Sequence, residues 1–93
     1  MSVYLVTWDL NKEKPNYAKA RADFLARLDE YTNIKDEGLD SVRFLATTWT
    51  VDQVSDDLRT NLDDNDRIVV INMSGSHQGW LSKKVWDWIN ERL

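Results

Sequence analysis

Val3-Tyr4-Leu5-Val6-Thr7-Trp8-Asp9 is the stretch whose reading decides the fold. Its β-branched and aromatic residues suit a pleated, packed surface. A strand with one wet face alternates apolar and polar side chains, and this one does not. Both of its faces are therefore expected to be covered, as in a central strand. Asp9 ends the run before Leu10-Asn11. A carboxylate at the carboxyl end of a central strand is a common place for chemistry.

Working outward, Asn11-Lys12-Glu13-Lys14-Pro15-Asn16 reads as a turn, with Pro15 suited to a first helical turn. Tyr17, Ala20, Phe24, Leu28 and Tyr31 recur at helical spacing, with Leu25 widening the stripe, and predict a helix from about Pro15 to Tyr31. Arg21 falls inside that stripe, so it must snorkel to an edge or meet a carboxylate, with Asp9 the sharper candidate. Thr32 to Asp40 is polar and reads as a loop. Ser41–Ala46 and Thr48–Val51 read as two short strands, or one kinked strand. Thr50-Val51-Asp52-Gln53 fits a capping box opening a second helix to about Leu62. Asp66–Met73 is a second strand apolar on both faces. A polar loop, Ser74–Gly79, leads to a last helix with Ser82 as N-cap and Leu81 and Trp86 at staple positions.

The order β-α-β-β-α-β plus a last helix predicts an α+β, ferredoxin-like arrangement in one domain spanning residues 1–93. Two helices would cover one sheet face. The other face also carries apolar residues, which soluble monomers rarely leave in water. Either the C-terminal helix or a second copy must hide it. A homodimer joined through sheet faces is the expectation, with Tyr4, Val6, Trp8, Trp49 and Trp86 at the interface.

Composition narrows the function classes. The 93 residues are 42% hydrophobic and 30% charged, as in an ordinary soluble domain. Cys is absent, which excludes disulfides and thiolate metal sites. No signal peptide or membrane span is legible, so a cytoplasmic location without membrane association is expected. Five Trp exceed the needs of a small core and point to an aromatic interface. The net charge of −4 opposes non-specific nucleic-acid binding by the whole surface. Lys12, Lys14 and Lys19 nonetheless gather near the first helix as a candidate phosphate-facing patch. The acids of residues 52–66 read as a solvated face.

Asp9 is the leading candidate for catalysis and for Mg²⁺ ligation, since two copies across a two-fold axis could share one ion. Capping of the turn is the plainer role. Asn11 could assist it or form an Asx-turn. His77, the only histidine, is a candidate general base in a polar loop. Ser74 and Ser76 lack a triad, and Gly75 and Gly79 are wrongly spaced for a phosphate loop.

Val3–Asp9, Thr47-Thr48-Trp49, Asp66–Met73 and Gly79-Trp80-Leu81 with Trp86-Asp87-Trp88-Ile89 together resemble the small SinR-like proteins. These are similar to the second, small CRISPR-associated protein of the spacer-acquisition complex and to virulence-associated protein D. The resemblance implies a ferredoxin-like homodimer. It also implies that Asp9 matches the proposed metal ligand of a Mg²⁺-dependent endonuclease acting on RNA or DNA. Other members of the group act as structural adaptors, so a non-catalytic dimeric scaffold for a protein or nucleic-acid partner is the alternative. An RNA-recognition module, presenting Tyr4, Trp8 or Trp49 to bases, ranks behind both because the RNP signature and a basic sheet are missing.

Overall fold

The computed structural model describes residues 1–93. In chain order the elements are β1 (Ser2–Asp9), α1 (Tyr17–Leu28), β2 (Thr32–Ile34), β3 (Val42–Thr47), α2 (Val51–Arg59), β4 (Arg67–Asn72) and α3 (Lys83–Arg92). One sheet runs in the order β2-β3-β1-β4, and every neighbouring pair is antiparallel. This is a small α+β domain with a four-stranded antiparallel sheet and three helices, compatible with a ferredoxin-like fold. β1 lies at its centre, with Val6 opposite Arg43 on one side and Val70 on the other. No helix is long and apolar enough to cross a membrane.

The middle strands lie elsewhere than expected. Ser41–Ala46 and Thr48–Val51 are not two strands. A single strand, β3, ends at Thr47, and its partner β2 is the three-residue segment before the loop. Thr48 and Trp49 instead make a turn, with the Trp49 N–H donating to Thr47 Oγ1 at 3.1 Å. That turn leads into the capping box. Thr50 Oγ1 accepts from the Gln53 N–H at 3.1 Å, while Gln53 Oε1 accepts from the Thr50 N–H at 2.8 Å. Two orphan donors of α2 are satisfied this way.

The two sheet faces carry two cores. On the first, Tyr4, Val6, Trp8 and Leu45 pack against Phe24 and Leu28 of α1 and Val54 and Leu58 of α2. Trp8 and Phe24 meet with ring centroids 5.1 Å apart. The Arg27 guanidinium fastens α1 to α2 through Asp57, whose carboxylate also accepts from the Tyr31 hydroxyl. On the second face Val3, Phe44 and Met73 pack against Val85 and Ile89 of α3.

These placements correct the expected interface at three of its five residues. Tyr4, Val6 and Trp8 are not on a surface, because their side chains point at α1 and α2 and are buried. α3 covers the part of the second face that holds Val3, Phe44 and Met73. Beyond that part, Val69 and Ile71 of β4 are each about half exposed (52% and 50%), with Leu5 and Thr7 of β1 partly exposed beside them. Trp49 is partly exposed and packs edge-on against Tyr31, and its carbonyl accepts from the Tyr4 hydroxyl at 2.7 Å. Trp86 is half-buried, packed on the second core with one face against the His77 ring.

α3 is pinned at its start. Ser82 caps it by accepting from the Val85 N–H, and the Ser82 N–H donates to Asp36 Oδ2 at 2.9 Å. Asp36 also accepts from the Gly38 N–H at 2.8 Å. The Ser82 and Gly38 donors hold the Asp36 carboxyl below the usual carboxylate range.

Candidate functional site

The carboxyl end of β1 opens into a cavity of about 430 Å³ lined by Trp8, Asp9, Leu10, Lys12, Tyr17, Arg21, Lys35, Asp40 and Ser41. Three segments build it. β1 delivers Asp9, the turn and first half of α1 deliver Lys12, Tyr17 and Arg21, and the β2–β3 loop delivers Lys35, Asp40 and Ser41. The loop is held to the strand by the Ser41 carbonyl, which accepts from the Trp8 N–H at 3.2 Å and from Thr7 Oγ1 at 2.9 Å.

The turn after β1 is held just as firmly. Asn11 Oδ1 accepts from the Glu13 N–H at 3.0 Å, the Asx-turn that its residue type allows. The Asn11 N–H donates to Asp66 Oδ1 at 2.8 Å. Lys14 bridges Asp66 at 2.6 Å and Asp63 at 3.0 Å and does not line the cavity. Burial alone would push the Asp66 carboxyl up, but Lys14 and the N–H groups of Asn11 and Asp63 hold it below its ordinary value. The Lys14 ammonium is raised in return, chiefly by its hydrogen bond to Asp66. Lys14 is thus an anchor of the turn and is not free to meet a phosphate, which corrects its expected role. Lys19 is exposed and pairs along the helix with Asp23 at 2.7 Å.

Asp9 is exposed at the rim, and Arg21 lines the same cavity without pairing with it. Lys12, Arg21 and Lys35 take part in none of the chain's ion pairs. Three uncommitted cations therefore converge with two carboxylates, Asp9 and Asp40, in a chain whose overall charge is negative. The acids instead crowd a separate depression between α2 and β4, lined by Asp56, Asp63, Asp64 and Asp66 with Arg59.

His77 belongs elsewhere. Its ring lies 6.0 Å from that of Trp86, nearly parallel, with Nδ1 3.0 Å from the Gly75 carbonyl. It lines a small depression with Gln78, Trp86 and Asn90 rather than the Asp9 cavity. Lys35 and Asp40 are the residues that sequence reasoning missed. The available signal was the strand after them. Once β3 runs antiparallel to β1, the loop that precedes it must return to the end where Asp9 sits.

The donor set of one chain fits an anion better than a resident divalent cation. Mg²⁺ is held by carboxylates, substrate phosphates and waters, and here the two acids share their cavity with three cations. No group of three or more potential metal-ligating side chains forms within the chain. No family model, curated protein or solved structure matches this chain.

Proposed function

We propose that this chain is a ferredoxin-like domain that works as a homodimer and holds the phosphate backbone of RNA or DNA in the Asp9 cavity, as a nucleic-acid-binding adaptor. The observation that carries this reading is the convergence of Lys12, Arg21 and Lys35, all unpaired, in one cavity of an otherwise acidic chain. Cations already neutralised by carboxylates have little to offer a phosphate, whereas unpaired ones release counterions when it binds. Asp9 and Asp40 supply acceptors for a sugar hydroxyl or an exocyclic amine beside the backbone. The resemblance to the small CRISPR-associated proteins, some of which act as structural adaptors, supports the same reading.

Fluorescence anisotropy with short labelled RNA and DNA strands tests it. Combining Lys12→Ala, Arg21→Ala and Lys35→Ala should weaken binding by at least about tenfold, or about 1.4 kcal/mol. Lys19→Ala, on the exposed side of α1, should leave affinity nearly unchanged. Equal losses from both changes would remove the cavity from the reading.

A second reading is favoured by the exposure of Asp9 at the strand end. Here the homodimer is a Mg²⁺-dependent endonuclease in which two Asp9 carboxylates meet across a two-fold axis. Its test is cleavage of mixed RNA and DNA with Mg²⁺ or Mn²⁺. Cleavage abolished by Asp9→Asn supports it, and cleavage that survives the change rules it out.

A further inference from the structure

β4 is an open edge of the sheet, and its exposed pattern is self-complementary. The Met73 N–H donates to the Val3 carbonyl at 3.0 Å. With the β1–β4 register this makes the odd-numbered residues of β4 the ones that bond inward to β1. The backbone N–H and C=O groups of Ile68, Val70 and Asn72 therefore point out of the sheet edge, where no strand meets them. The edge carries none of the devices that discourage pairing. It has no Pro, and its one charge, Arg67, is turned back onto the carbonyls of Asp64 and Asp66. Val69 and Ile71 lie half exposed beside it, on the side of the sheet that α3 leaves open.

We propose that a second copy of this chain pairs with β4 edge to edge, antiparallel about a two-fold axis at Val70. Among two-fold registers, this one uses every free group within the strand. Val70 exchanges two hydrogen bonds with the partner's Val70, and Ile68 exchanges two with the partner's Asn72 at either end. The same register sets Val69 directly opposite the partner's Ile71, twice, so four half-exposed apolar side chains become two cross-strand pairs. A register centred one residue away on either side leaves part of the edge unpaired within β4.

The contact is a strip about 20 Å long and about 10 Å deep on each sheet face, or about 800 Å² summed over both partners. That lies below the standard range for stable complexes of about 1,200–2,000 Å². The dimer is accordingly proposed as a weak, reversible one.

This inference deepens the homodimer reading and fixes what the two sites can do together. Asp9 lies about 10 Å along the strand from the axis and about 7 Å across the sheet. Two copies of Asp9 are then about 25 Å apart, so no ion is shared between them and each cavity binds its own stretch of backbone.

Sedimentation velocity from about 1 µM to about 1 mM, paired with amide hydrogen exchange by NMR, tests the edge. The expected result is a rise toward twice the 10.9 kDa chain mass, with the Ile68, Val70 and Asn72 amides gaining protection as the dimer forms. Val70→Pro removes an outward N–H while leaving the inward ladder whole, and Val69→Lys with Ile71→Lys charges the strip. Both variants should remain monomeric across that range. Folded circular dichroism in either one keeps the test valid. A dimer whose three amides stay fast to exchange would overturn the edge and keep the homodimer. A monomer at every concentration would overturn both, and neither result bears on oligonucleotide binding by the separate cavity.

Discussion

Truncating α3 at its buried contact is the sharpest test of how the second sheet face is covered. Ile89 is fully buried and Val85 nearly so, both against Val3, Phe44 and Met73. Ile89→Ala removes the hydrophobic transfer of three carbons and leaves a void that a small sheet fills poorly, costing about 3 kcal/mol within the usual 2–5. A domain of this size has a total stability of only about 5–15 kcal/mol. At roughly 4–8 °C per kcal/mol, the melting temperature should fall by about 12–24 °C. Thermal and urea unfolding followed by circular dichroism give the shift, with Trp80→Ala as the control. Trp80 is 99% exposed, so its loss should stay within about 0.5 kcal/mol. If Ile89→Ala costs no more than Trp80→Ala, α3 does not cover the face, and the packing described for it is wrong.

Other outcomes follow from particular contacts. Thr50→Ala should cost about 1 kcal/mol by breaking the capping box of α2, measured by urea unfolding, while Thr48→Ala beside it should cost almost nothing. The Asp36 and Asp66 carboxyls are held below the ordinary carboxylate range in the folded chain, so the stability they contribute is present above about pH 4. It should be lost as the pH falls from there through their folded values. A chemical-denaturation series below neutral pH checks this, and in Asp36→Asn the acid-dependent loss should be smaller.

The local features of this chain were legible because their causes lie within a few residues. The capping box of Thr50 and Gln53 and the Ser82 cap formed as read. The first helix runs only over Tyr17–Leu28 instead of Pro15 to Tyr31, and the second ends at Arg59 instead of Leu62. β2 was not legible, because three residues with an asparagine at the centre carry too little periodicity to stand out from a loop. The double-sided apolar character of β1, which identified it as central, also hid which of its faces α1 and α2 would take. Tyr4, Val6 and Trp8 could equally have faced outward on that evidence. At the site, Asp9 and Arg21 line one cavity without the ion pair that the sequence offered as the sharper role for Arg21. Lys14 misled because its partners Asp63 and Asp66 are about fifty positions away and nothing local announces the pairing. Lys35 reaches the cavity only through the antiparallel run of β3, a fact of topology rather than of motif.

The salt dependence of oligonucleotide affinity measures phosphate contact at the Asp9 cavity most directly. If Lys12, Arg21 and Lys35 each neutralise a phosphate of a single strand, the slope of log affinity against log salt should flatten by about 2 in the triple alanine variant. A slope that the triple variant leaves unchanged would mean that the nucleic acid is held somewhere else, or not held at all.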